Sequence, residues 1–102
     1  MGVLHLVNRS PGETQALAQC LDRAGEGDAI LLMQSGVYAA MKHSALASRM
    51  EQSIRKVNIH VLAPDLAARG IAAEEVMKGI ELISYEGFVN LSISHGPILS
   101  WN

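Results

Sequence analysis

Cys20 is the one side chain in this sequence with distinctive chemistry of its own, and it is the only cysteine among 102 residues. A thiolate is a nucleophile and a metal ligand, whereas a thiol packed among apolar neighbours is an inert small hydrophobe. Leu17, Leu21 and Ala24 share one helical stripe, with Cys20 beside it, three residues after Leu17. That places the thiol in the latter half of a helix, where the negative end of the dipole opposes ionisation. Arg23, three residues further on, is the one nearby cation by sequence and offsets part of this. Both a chemical and a packing role stay open for Cys20.

The four histidines are His5, His43, His60 and His95. No two stand at ligand spacing and no second thiol exists, so neither a metal site nor a cofactor is expected. His60, between Ile59 and Val61, reads as a core or interface histidine satisfied by a hydrogen bond. Gln34-Ser35-Gly36 has a single glycine and is neither a dinucleotide fingerprint nor a P-loop, and Gly25-Glu26-Gly27 precedes a strand instead of following one. There is no G-x-S-x-G elbow. Asp65, Glu74 and Glu75 read as capping and surface groups. These turns disfavour a flavodoxin-like nucleotide binder.

The elements that position these residues follow from the apolar pattern. Asp28-Ala29-Ile30-Leu31-Leu32-Met33 holds five apolar residues in a row, which suits a strand covered on both faces. A short buried helix competes, but the five-residue length and the flanking Gly25, Gly27 and Gly36 favour the central strand of a parallel sheet. Val3–Val7 reads as a first strand. In Ser10-Pro11-Gly12-Glu13, Ser10 fits an N-cap, Pro11 the first helical position and Glu13 the reciprocal capping position, predicting a helix from there to Gly25. Ser35 can cap a short helix with Val37, Ala40 and Met41 inward, and Ser44 can cap another. Leu46, Met50, Ile54 and Val57 share a helical face. Asn58–Ala63 is a third strand, and Asp65 can cap a short helix closed by Gly70. Glu74–Lys78 is a further short helical candidate stopped by Gly79. Ile80–Ser84 is a fourth strand. Gly87–Ser94 alternates like a strand yet also shows a helical face; the need for a crossover before the final strand, Ile98–Trp101, selects helix. The alternation predicts an α/β fold with a parallel sheet, right-handed crossovers and helices on both faces.

The length allows one domain, residues 1–102. Only 18% of residues are charged against 49% hydrophobic, so apolar surface is expected to remain for a partner subunit. Net charge is -2 and the longest basic run is Arg55-Lys56, so no direct binding of nucleic acid is expected. Met1–Val7 has no positive n-region and no apolar run reaches membrane length, so a cytoplasmic location without membrane contact is expected.

Several stretches, in order along the chain, resemble the TusB/DsrH family of sulfur-relay subunits. They are Leu4-His5-Leu6-Val7-Asn8-Arg9-Ser10-Pro11, the block Leu31–Ala40, Val61–Gly70 with its Asp65-Leu66-Ala67-Ala68-Arg69-Gly70, Tyr85-Glu86-Gly87-Phe88-Val89, and Ser100-Trp101. The resemblance implies a three-layer α/β/α sandwich around a five-stranded parallel sheet. It implies a small subunit of a cytoplasmic heterohexamer with two related subunits, of the DsrE/TusD and DsrF/TusC kinds. That assembly passes persulfide sulfur to a downstream sulfur-accepting protein, toward 2-thiouridine at the tRNA wobble position in one branch and within sulfur oxidation in the other. The main sulfur-accepting cysteine looks to lie on a different subunit. Only the sulfur-oxidation branch is similar to this chain in having a cysteine at the position of Cys20, which tilts the reading toward that branch. Cys20 is thus the candidate sulfur acceptor. The alternative is a purely structural subunit in which Cys20 only packs.

Overall fold

Ala29–Leu32 is the middle strand of the sheet, as its unbroken apolar run requires. In the computed structural model, which describes residues 2–102, this strand (β2) has no exposed residue on either face. Met1, the first residue of the segment read as lacking a leader, lies outside the described residues. Around β2 run Leu4–Val7 (β1), Asn58–Leu62 (β3), Glu81–Ile83 (β4) and Ile98–Trp101 (β5), all parallel, in the order β4-β3-β2-β1-β5.

The strand order assigns the helices to faces. The steps β1 to β2, β2 to β3 and β3 to β4 all run one way across the sheet, so right-handed crossovers put their helices on one face; the step from β4 to β5 runs the other way. The packing agrees. Ala16–Arg23 (α1), Ala47–Ser53 (α2) and Ala63–Ala68 (α3) bury Leu17, Leu21, Met50 and Leu66 against Val7, Ile30, Leu32, Ile59 and Val61. On the opposite face Tyr85–Ser94 (α4) sets Phe88 and Leu91 over Leu4, Ala29, Leu31 and Leu62. The ambiguous Gly87–Ser94 segment is therefore helical, and Ser84 caps it by accepting a hydrogen bond from the Gly87 N–H at 3.2 Å.

Three local expectations are corrected by long-range contacts. The Ser10–Glu13 capping bond forms, Ser10 N–H to Glu13 Oε1 at 3.1 Å, but it closes only a single turn. The same carboxylate oxygen accepts the Ser35 hydroxyl at 2.7 Å, which ties that turn to the segment after β2. Helix α1 starts later, at Ala16, whose N–H is taken by Thr14 Oγ1 at 3.1 Å. Ser35 caps no helix, since its hydroxyl faces Glu13 and the Asn8 carbonyl within a 3-10 segment, Gln34–Ala40. Asp65 likewise turns away from its own helix and accepts the Gln34 N–H at 2.6 Å. Gly36 explains why that 3-10 segment can lie so close to β1: an added Cβ would overlap the Val7 carbonyl. Glu74–Lys78 contributes only a short 3-10 turn, Ala73–Glu75. Among the described residues no helix is long and apolar enough to cross a membrane.

Candidate functional site

Helix α1 leans on the sheet through one stripe, and Cys20 belongs to that stripe instead of standing beside it. Its side chain is fully buried, in one cluster with Leu17, Leu21, Val7 and Ile30. Burial pushes the thiol up to about 12, and the negative charge of Asp28 pushes the same way. Arg23 is exposed, so the charge acting on the thiol is the one that opposes a thiolate. In this conformation Cys20 is a packed thiol.

Asp28, read from the sequence only as the lip of the central strand, organises the polar interior here. Its carboxylate accepts the Val3 N–H at 2.9 Å, the Gly25 N–H at 3.1 Å and His5 Nε2 at 2.8 Å. Desolvation works to raise its pKa, yet the bonds from His5, Val3 and Gly25 outweigh it and hold the carboxyl below its ordinary value. His5 is itself buried in β1, and its Nδ1 accepts the Trp101 indole N–H at 3.1 Å. An indole can only donate. Nδ1 must therefore be the bare nitrogen and Nε2 the one that carries a proton to Asp28. A chain Trp101–His5–Asp28 thus runs from β5 through β1 to the start of β2, with every member partnered. It has the directional logic of an oriented acid–base pair, but the group at its free end is an indole and not a nucleophile. Its chemistry is positional: it fixes the imidazole tautomer and pins three strands together.

Sequence reasoning passed over this network because its members lie far apart in the chain, His5 and Trp101 by 96 residues. The available signal was a histidine inside an apolar strand and an aspartate at the mouth of another, both of which need partners once buried.

His60 is buried on β3 beside its register neighbour Glu81. Its Nδ1 lies 2.9 Å from Glu81 Oε1, but the two are not aligned as a hydrogen bond and that nitrogen is left without one. The expected satisfying bond is thus replaced by a close approach of the ring to a carboxylate. Burial pushes the imidazole below its ordinary value, with Glu81 pulling the other way.

The outer side of α4 carries an apolar stripe beside a polar one of Glu86, Asn90 and Ser94. Tyr85, Val89 and Ile93 follow one another at four-residue spacing and are 59%, 54% and 74% exposed. Ile98 of β5 adds to the same side of the sheet, since its register partner Leu4 is one of the residues under α4. No residue of α4 is fully buried. One helix therefore covers a sheet face that elsewhere takes three, and it carries apolar side chains on both of its own sides.

Comparison with known proteins adds the ancestry of this arrangement. A family model described as DsrH like protein matches residues 9–97. A Protein TusB from Pectobacterium parmentieri is 36% identical over 99 residues, covering 97% of this chain and all of that relative. A Protein TusB from Escherichia coli (strain K12) is likewise 36% identical over 101 residues with the same coverage. Among solved structures, the crystal structure of the ychN protein from E. coli superposes with a TM-score of 0.82 at 14% identity, covering 99% of both chains. The MTH1491 protein from Methanobacterium thermoautotrophicum gives 0.77 at 11% identity over 96% of both. The two structures share the fold, and the sequence matches carry the descent: the chain belongs to the TusB/DsrH family.

Proposed function

We propose that the chain is a subunit of a cytoplasmic sulfur-relay assembly, in which it docks against two related subunits and the transferred sulfur is held by a cysteine of another chain. The observation that carries the reading is the end-to-end match to proteins named TusB. The exposed stripe Tyr85, Val89, Ile93 supports the docking half, because an apolar patch of this kind on so small a domain marks an interface. The packed state of Cys20 supports placing the sulfur elsewhere. In the transfer itself an acceptor thiolate attacks the outer sulfur of a donor persulfide. The donor S–S bond breaks, its cysteine leaves as a thiolate, and a persulfide forms on the acceptor without net oxidation. A cysteine without solvent access and with its thiol held protonated cannot take the attacking part. The name shared by the relatives favours the tRNA-thiolation branch over sulfur oxidation, against the tilt that Cys20 gave.

A second role stays attached to a specific residue. If assembly opens α1 and brings cations to Cys20, it becomes a secondary persulfide carrier for the downstream acceptor. Mass spectrometry of the assembled complex after loading with a persulfide donor decides. The structural role predicts one added sulfur atom on a partner and none on this chain, with Ile93→Glu abolishing assembly while the isolated chain stays folded. An added sulfur on this chain that Cys20→Ser removes, while partner loading persists, establishes the carrier role instead. An Ile93→Glu chain that assembles normally removes the α4 stripe as the docking surface.

A further inference from the structure

At the carboxyl edge of the sheet, the turns that leave β1 and β2 meet the end of α3. They enclose an open cleft of about 400 Å³ lined by Asn8, Arg9, Gln34, Ser35, Arg69 and Asn102. Every lining side chain is polar. Sites for drug-like or aromatic ligands are mostly apolar, so this chemistry suits something small and charged. The carboxyl ends of parallel strands are also where open α/β sheets hold their ligands.

The balance of donors and acceptors sets the sign of that charge. Four charged side chains lie in or beside the cleft: Arg9 and Arg69 line it, while Asp65 and Glu13 bond its Gln34 and Ser35. Both carboxylates have partners from the chain itself. Glu13 accepts the Ser10 N–H and the Ser35 hydroxyl, and Asp65 accepts the Gln34 N–H. The guanidiniums are left under-used. Arg9 makes one long contact to Glu13, at 3.4 Å, and Arg69 one to the Asp65 carbonyl, also at 3.4 Å. Neither has the two-point contact that a guanidinium prefers. One further feature sits at the same spot. Gln34 is the only non-glycine residue with positive φ among the described residues, at 51°. Strain of this kind gathers where a backbone is held for a ligand.

We propose that this cleft binds a free tetrahedral oxyanion, of the phosphate, sulfate or thiosulfate type, between the Arg9 and Arg69 guanidiniums. The site is separate from Cys20 and from the α4 stripe, and it stands or falls independently of the relay reading.

The test is a titration of the isotopically labelled full chain, followed by amide NMR at constant ionic strength. Phosphate, sulfate and thiosulfate are compared with chloride. Saturable shifts centred on Asn8, Gln34, Ser35 and Arg69 are expected with the three oxyanions and not with chloride. Arg9→Gln and Arg69→Gln should each weaken binding by about tenfold, the worth of one charged hydrogen bond. Arg69→Lys should recover part of the loss, and Arg55→Gln, just past the end of α2, should change nothing. The amide spectra of the variants report directly that they remain folded. Shifts that grow linearly and equally with chloride overturn the proposal, and so does saturable binding that survives the Arg9→Gln, Arg69→Gln double variant.

Discussion

The state of Cys20 can be measured as a rate. In an unfolded chain a cysteine with a pKa near 9.0 is about one-tenth thiolate at pH 8. With the thiol pushed up to about 12, the folded chain holds about one thiolate in ten thousand at that pH, a reduction of about a thousandfold. Since only the thiolate attacks, alkylation or disulfide exchange in the native state should run at least about a thousandfold slower than in denaturant, before exclusion of the reagent by the packed α1 face is counted. The assay is the time course of labelling at pH 8, native against denatured. Native labelling within about tenfold of the denatured rate would refute the reasoning and show that Cys20 is open in solution. The same shift has a thermodynamic face. The folded state holds the thiol proton more tightly than the unfolded state, so its contribution is complete below about pH 9. It declines as pH rises toward about 12, by about 1.4 kcal/mol per unit in that window. Cys20→Ala should lose that part of the alkaline slope in a urea series run at several pH values, while its stability at pH 7 falls by only the modest cost of a small cavity.

Two further outcomes follow from the polar contacts. Trp101→Phe leaves the buried His5 Nδ1 without its donor and should lower unfolding free energy by about 1–3 kcal/mol in urea; ring-nitrogen NMR of the wild type should show Nδ1 bare and Nε2 protonated, and the reverse tautomer would break the assigned chain. Glu13 has its pKa lowered to about 2, first by the Ser35 hydroxyl and then by its bonds to Ser10, so its contribution is present above the ordinary value of 4.5 and is lost as pH falls toward about 2. Carboxyl NMR should find that low midpoint and find it raised in Ser35→Ala; an unmoved midpoint would mean the Ser35 bond does not form in solution.

The fold was legible where burial alone dictates the sequence. An unbroken run such as Ala29–Leu32 has few alternatives, and α4 could be inferred because a parallel strand cannot follow β4 without a crossover. What escaped was set by contacts between distant segments. Ser10-Pro11-Gly12-Glu13 has the chemistry of a helix start, but Glu13 bonds Ser35 across the molecule, and the helix waits for Thr14. Asp65 has the chemistry of a cap and serves Gln34 instead. The placement of Cys20 was half legible: the helical stripe was seen, but whether a residue lies beside a stripe or within it depends on where α1 begins and how it is rotated on the sheet. Of the Trp101–His5–Asp28 chain only the need for partners at His5 and Asp28 was legible, because no local pattern links β5 to the two strands it locks.

That last separation also governs how the molecule comes together. Pairing β1 with β2, β2 with β3 and β3 with β4 joins neighbours along the chain, so each step closes a modest loop. Pairing β5 with β1 joins segments that span nearly the whole sequence, so its entropy of closure is best met after the other four strands have formed a platform. Until then β1 presents a bare hydrogen-bonding edge, and His5 stands in an apolar wall without its indole donor. A refolding chain is therefore expected to pass through a species whose open edge can pair with the same edge of another molecule. Its yield should depend on protein concentration more steeply than the stability of the finished fold suggests.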